Sequence, residues 1–288
     1  MSQARAAEWS TTRDTSVHGV ECFSARFVSH VFDRHAHETF AIGTTFGGVQ
    51  SFRCRGARRD STRGHLMLFN PDEPHDGWAG TQNGFAYRML YLTREGVEQL
   101  VDARDESAGR DARLSRGFFR EPVISAGTLA EQFALATDDL LSPGDSLRAA
   151  ERLSQVLRVI FQRYARPCAR SDEPPRANPR ISRVRDLLES CYTEDVTITT
   201  VAEVAGMSRV HATRQFTLAY GIPPHTYLNQ VRIRHAKRLL LEGVSAANVA
   251  VEVGFVDQSH FSRRFKRTVG VSPLVWAGAR NRAGSTKV

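Results

Sequence analysis

The chain has 288 residues, 41% of them hydrophobic, which is enough for one large or two ordinary globular domains with a buried core. No apolar run approaches the length of a membrane-spanning helix, and the polar N-terminus lacks a signal peptide, so we expect a cytoplasmic protein with no membrane partner. The net charge of +8 is unevenly placed: 16 basic and 8 acidic residues follow position 177, and 23 of each precede it, which indicates a polyanionic partner for the C-terminal part alone.

The first ninety residues have the pattern of short strands. Segments 40–46, 50–54, 64–69 and 87–92 are rich in β-type residues and are separated by glycine or by the proline-rich turn 70–74. Many short strands with such turns predict a sandwich or a small barrel.

Histidines mark this β-rich part. His35 and His37 lie two residues apart, on one face of a strand, and His75 follows the turn at 70–74. This pattern resembles a cupin barrel, whose metal-binding members use two histidines, a glutamate and a later histidine. The glutamate would fall at Ala41 or Ile42, and Glu38 should point to the opposite face.

Three uses of these histidines stay open: zinc ligands, walls of a small-molecule pocket, or support of the barrel mouth. We favour the pocket and expect neither a metal nor a cofactor. The effector-binding residues predicted on this basis are His35, His37, His75, Trp78 and Tyr87.

Helical spacing begins near residue 127. Segment 128–141 predicts one helix, and an apolar stripe from Leu153 to Tyr164 predicts its antiparallel partner, capped by Asp145 or Ser146. The stripe has two possible uses: it covers the barrel, or it pairs with a second chain. Residues 166–179 hold four prolines without periodicity and predict a linker.

The C-terminal part predicts two helix-turn-helix units. In the first, a short helix ends at Gly206 and Ser208 caps the next. In the second, Gly254 ends a short helix and Asp257 caps the next one. Segment 224–241 predicts a rigid connecting helix with a basic face. Two recognition helices on one spacer can enter successive major grooves, about 34 Å apart.

Here the sequence resembles the AraC/XylS family of bacterial transcription regulators, over roughly 181–277 and most densely over 253–273. The resemblance implies base contacts from both recognition helices and phosphate contacts from His260 and Lys266. The base-contacting residues that it implies are Arg209, Val210, Thr213, Arg214, Gln258, Ser259, Ser262 and Arg263. Val210 and Thr213 are smaller than the residues of many family members, which predicts weaker base discrimination by the first helix.

The expected fold class is α+β multidomain: a cupin-like sensor barrel (1–126), accessory or dimerisation helices (127–166), a linker (167–179) and an all-α DNA-binding domain (180–288). The resemblance implies a sequence-specific regulator, commonly an activator and a homodimer, with promoter DNA, RNA polymerase and a small effector such as an amino acid or sugar as partners.

The alternative is a metal-dependent cupin enzyme or metal sensor fused to a DNA-binding domain. The chain has no G-x-S-x-G motif, P-loop or clustered catalytic carboxylates, so we expect no enzyme. The four cysteines, Cys22, Cys54, Cys168 and Cys191, form no C-x-x-C pair, which argues against a zinc ribbon, a redox motif or a disulfide framework.

Overall fold

The computed structural model describes residues 9–14, 19–102, 117–142, 146–167 and 178–283. Asp145 and Cys168 therefore lie outside the described residues. The strands are β1 (Trp9–Asp14), β2 (Val20–Phe27), β3 (Val31–His35), β4 (Phe40–Gly48), β5 (Gln50–Cys54), β6 (Ala57–Ser61), β7 (His65–Phe69), β8 (His75–Ala79), β9 (Phe85–Leu92), β10 (Gly117–Phe119), β11 (Val123–Ser125) and β12 (Ala165–Pro167). The four predicted strand segments are confirmed as β4, β5, β7 and β9.

The helices are α1 (Arg94–Val97), a π-helical turn (Glu98–Asp102), α2 (Thr128–Leu141), α3 (Ser146–Tyr164), α4 (Pro179–Ser190), α5 (Ile198–Ala205), α6 (Arg209–Tyr220), α7 (Pro224–Leu241), α8 (Ala246–Glu252), α9 (Gln258–Val269) and α10 (Pro273–Ala283). Among the residues that the structure describes, none of these helices has both the length and the apolar character of a membrane span.

Two antiparallel sheets form the body of the N-terminal domain, and β10 pairs with β12 in a separate two-stranded sheet. The larger has the order β1-β2-β9-β4-β7-β11, and the smaller has the order β3-β8-β5-β6. Aromatic and sulfur-containing side chains from both sheets fill the space between them, among them Phe23, Phe52, Phe69, Phe85 and Met89. The predicted β-rich, cupin-like domain followed by a helical domain is confirmed.

Helices α2 and α3 cover the outer face of the larger sheet. Leu153, Leu157, Ile160 and Phe161 of the predicted stripe are fully buried there, in one cluster with sheet residues such as Phe40. Of the two uses considered for the stripe, the structure shows the first. Pairing with a second chain through the same side chains would require them to leave this core.

The C-terminal domain begins with α4, whose first turn is capped by the Asn178 side chain. Helices α4, α5 and α6 share one apolar core with the start of α7. The second half of α7 packs with α8, α9 and α10 around Phe261, Phe265 and Trp276, and this second core is continuous with the interior of the β-domain. The two domains therefore meet through a shared apolar cluster.

Candidate DNA interface and sensor site

The first recognition helix, α6, is positioned by the turn that the sequence predicts. Gly206 adopts φ 60°, a left-handed conformation suited to glycine, and the Ser208 side chain accepts a hydrogen bond from the His211 amide. Ala212 and Phe216 face the core, so Arg209, Val210 and Arg214 point outward. Val210 is 80% exposed, and Thr213 is half-buried with its hydroxyl donating to the Arg209 carbonyl.

The second recognition helix, α9, repeats the arrangement. The Asp257 carboxylate accepts from the His260 amide at 2.6 Å, and Phe261 and Phe265 anchor the inner face. The predicted DNA-contacting residues fall into two groups: four are exposed and two are half-buried. The exposed ones are Gln258, Ser259, Arg263 and Lys266, and the half-buried ones are His260 and Ser262.

Most of the basic residues of the connecting helix α7 are bound to other parts of the protein and do not form an open basic face. Arg232 is buried and donates from Nε to the Tyr192 carbonyl (2.7 Å) and from Nη2 to the Glu194 carbonyl (2.8 Å). Arg234 and Lys237 form ion pairs with acidic residues of the β-domain. Three of the four predicted basic residues of α7 thus contact other elements of the protein. The fourth, Arg238, is exposed.

The second recognition helix also contacts the β-domain. Asp33 in the middle of β3 forms ion pairs with Arg267 (3.1 Å) and Arg264 (3.7 Å) of α9. Gly270, at the end of α9, lies so close to Phe27 and Phe32 that a Cβ there would be about 3 Å from both rings. A groove of about 720 Å³ runs between α9 and residues 29–31, and Arg263 and Lys266 lie in its wall.

The three predicted histidines do come together. The ring centres of His35, His37 and His75 lie 4.6–5.3 Å apart, and one ring nitrogen of each lies within 4.8 Å of the others. The Nδ1 atoms of His35 and His75 lie 2.6 Å and 2.9 Å from the carbonyls of Asp33 and Glu73, which favours Nδ1–H and leaves Nε2 as the acceptor. Burial lowers the pKa of all three imidazoles, that of His75 to about 3, so they are neutral at pH 7.

The other two predicted effector residues lie elsewhere. Tyr87 is buried between the sheets among phenylalanine rings. Trp78 is on the opposite face of β8 from His75, with the Arg53 and Arg58 guanidinium groups 5.1 Å and 5.8 Å from its ring centre. The structure therefore does not bring Trp78 to the histidine cluster.

Tyr91 takes the place of the missing aromatic residue, because its ring lies 4.8 Å from that of His37. The sequence carried a signal for it, since Tyr91 is four residues after Tyr87 and so shares its strand face. Its importance lies in a cavity of about 190 Å³ between the β-domain and helices α7 and α10, whose walls include His37, Tyr91, Lys237 and Trp276. Residues so far apart in the chain give no local pattern from which this cavity is predictable.

Comparison with known proteins gives matches to two family models. Residues 17–157 match the AraC-like ligand binding domain, and residues 201–279 match a helix-turn-helix domain. The HTH-type transcriptional regulator YbfI of Bacillus subtilis is 28% identical over 84% of this chain and 85% of that protein. The transcriptional activator NphR of a Rhodococcus species is 36% identical over 36% of this chain and 32% of that protein.

Solved structures of ToxT from Vibrio cholerae share the fold. An apo form superposes with a TM-score of 0.58 at 12% identity, covering 92% of this chain and 98% of that one. A form with bound unsaturated fatty acid has a TM-score of 0.55 at 13% identity, covering 97% and 98%. With its β-rich ligand-binding domain and its two helix-turn-helix units, the chain belongs to the AraC family of transcription regulators.

Proposed function

We propose that the protein is a sequence-specific transcription activator that reads promoter DNA with α6 and α9 and responds to a small molecule held by its β-domain. The observation that carries this proposal is the pair of capped recognition helices, each with buried anchors on one face and exposed polar side chains on the other. Arginine and glutamine pair bidentately with guanine and adenine in the major groove, and serine and lysine reach phosphates.

The residues proposed to contact DNA are those predicted from the sequence: Arg209, Val210, Thr213, Arg214, Gln258, Ser259, His260, Ser262, Arg263 and Lys266. The exposed Val210 offers an apolar surface that suits a thymine methyl group. The proposed domain limits also stay as predicted, at 1–126, 127–166, 167–179 and 180–288, with action in the cytoplasm and no catalytic step.

Regulation is proposed to act through the contacts between the domains. Asp33 pairs with Arg264 and Arg267 of α9. In the same way, Glu38 pairs with Arg234 and Glu21 pairs with Lys237, both of α7. An effector that binds one arrangement of the domains better than another shifts the population between them. Release of α9 from Asp33 would open the groove in whose wall the solvent-exposed Arg263 and Lys266 lie, so that a DNA duplex can reach them.

The effector is proposed to bind beside His35, His37 and His75, and to be an amino acid or a sugar. Of the other two predicted residues, Trp78 faces away from this cluster, and Tyr87 is enclosed among phenylalanine rings between the sheets. RNA polymerase and a second copy of the chain are proposed partners. Because the Leu153 stripe is buried, the dimer contact would use the outer face of α3, where Leu147 and Val159 are exposed.

The test is selection of sheared genomic DNA by the purified full-length protein, followed by sequencing. Enrichment of a few promoter fragments that share an asymmetric two-part motif supports the proposal. Uniform recovery of all fragments would show that the helices bind DNA without reading its sequence. Transcription in vitro from an enriched fragment, with and without the protein, then distinguishes activation from repression.

A second candidate function is metal sensing at the histidine cluster. Its support is the set of three neutral imidazoles with two Nδ1 atoms fixed on backbone carbonyls, an arrangement common among metal-binding histidines. Zinc–nitrogen bonds of about 2.1 Å place tetrahedral ligand nitrogens roughly 3.4 Å apart, so the rings would have to close by about 1 Å. Ala41 and Ile42 supply no carboxylate, and water would complete the shell.

Zinc content measured after purification and dialysis tests this candidate. One zinc per chain, lost in His35→Ala and kept in His65→Ala, would support metal sensing. If the protein binds no zinc when zinc is present at micromolar concentration, metal sensing is excluded and the cluster is left to an organic effector.

A further inference from the structure

The cavity between the domains has walls from both of them. Glu21, His37, Glu38 and Tyr91 belong to the β-domain, whereas α7 and α10 close the opposite side. Its volume of about 190 Å³ is below the roughly 300–1,000 Å³ of sites for drug-sized ligands. An occupant must therefore be small, and it would touch the sensor and the DNA-binding domain at once.

The walls already bind one ammonium group. The Lys237 Nζ donates to both carboxylate oxygens of Glu21, at 2.8 Å and 3.0 Å. The same nitrogen lies 4.2 Å from the ring centre of Trp276 and 5.6 Å from that of Tyr91. A carboxylate with aromatic faces is the combination that recognises organic cations.

The charge of the walls also favours a cation. Three carboxylates, Glu21, Glu38 and Asp72, stand against two cations, Arg234 and Lys237. Both cations are satisfied, because Lys237 is bound by Glu21 and Arg234 is bound by Glu38 and also by Glu189. An anionic ligand would have to displace a carboxylate from one of them.

Asp72 is the carboxylate without a counter-ion. Among the described residues its side chain forms no ion pair or hydrogen bond, and its backbone amide donates to the His37 carbonyl at 2.6 Å. The Asp72 side chain is exposed to solvent at the outer edge of the cavity, and its backbone contact places it on the His37 side. The positive charges of Arg185 and Arg94, which are not among the cavity walls, also act on it.

We propose that this cavity is the effector site and that its ligand is a small primary amine with an apolar, preferably aromatic, body. The ammonium group pairs with Asp72 and the body lies against the Tyr91 and Trp276 rings. Since the ligand contacts α7 and α10, its binding changes the relative stability of the domain arrangements. This inference rests on the proposed function in one respect, that the β-domain responds to a small molecule, and it places that molecule in the cavity beside His37 instead of beside His35 and His75.

The experiment uses the full-length protein without DNA and two probes of opposite charge. The probes are 2-phenylethylamine and 3-phenylpropionate, which share the aromatic body and differ in the charged group. Isothermal titration measures the affinity of each for the wild type, for Asp72→Asn, and for Glu131→Gln as a control that removes an exposed carboxylate from α2.

We expect the amine to bind one per chain and at least tenfold more tightly than the acid. Asp72→Asn should weaken the amine about tenfold, because a hydrogen-bonded charge pair is lost, and Glu131→Gln should leave it unchanged. Tighter binding of the acid, equal binding of the amine to wild type and Asp72→Asn, or binding of neither probe would overturn the inference. Selection of genomic DNA is independent of these titrations, so its failure would overturn the proposed function and not the site.

Discussion

Replacing Asp33 by asparagine removes the carboxylate that, among the residues the structure describes, pairs Arg264 and Arg267 of the second recognition helix with the β-domain. The side chains are 29%, 39% and 59% exposed, respectively, so each pair is worth the roughly 0.2–1 kcal/mol of a solvent-screened ion pair. Two pairs give about 0.4–2 kcal/mol. If α9 must leave Asp33 to enter a major groove, this free energy opposes DNA binding.

Asp33→Asn should therefore raise the affinity for a target fragment about twofold to thirtyfold, since 1.4 kcal/mol corresponds to a factor of ten. Fluorescence anisotropy with labelled promoter DNA, at several salt concentrations, measures the change. Loss of any negative charge helps binding to a polyanion, so Asp60→Asn serves as the control: its carboxylate pairs with Arg58 on the smaller sheet. An Asp33→Asn effect no larger than that of Asp60→Asn would refute masking of α9 by the β-domain.

Three further results are expected. Arg263→Ala should weaken specific binding by about 1–3 kcal/mol and relax the choice at one base position; an equal loss on all sequences, in competition assays, would instead identify a phosphate contact. Arg232→Lys should lower the free energy of unfolding, measured in urea, by roughly 1–3 kcal/mol, because an ammonium group cannot donate to two carbonyls as the guanidinium does. The control, Arg238→Lys on the exposed face of α7, should change the urea midpoint little. Gly254→Ala should destabilise more than Gly206→Ala: both need a positive φ, but only at Gly254 would the new Cβ meet a backbone oxygen, at 2.6 Å. Equal melting temperatures for the two alanine variants would contradict this reason.

The sequence predicts the limits of a helix closely where glycine, proline or a capping residue marks its ends. The limits predicted for α2 and α7, 128–141 and 224–241, are those observed, because glycine or proline precedes each helix. Both recognition-helix turns follow equally from a glycine with positive φ and a capping side chain two or three residues later. These features depend on neighbours within one turn of the chain, so one sequence is sufficient to find them.

The sequence predicts less well which part of the protein packs against a given face of a helix or strand. Periodicity predicts the apolar stripe from Leu153, but it gives the face of a helix and not the surface that covers that face. The sequence predicts a basic face for α7, whereas Arg232 is buried and Lys237 pairs with Glu21, which lies 216 residues earlier in the chain. Trp78 is a predicted wall of the pocket beside the histidines, but the alternation of β8 places its ring on the other face of the strand from His75.

The apolar cluster that runs from the β-domain into α9 and α10 limits how freely such a protein can be recombined. A chimera that joins this C-terminal half to another sensor would remove Phe27 and Phe32, the β-domain side chains against which Gly270 at the end of α9 packs. The first helix-turn-helix unit has a separate apolar core around Val184 and Phe216, and it meets the β-domain at the end of α6, where Gly221 accepts from Arg34 and lies against Pro74. Exchange of recognition specificity between paralogues is therefore expected to succeed more readily through α6 than through α9, and the two half-sites of the promoter would diverge at different rates.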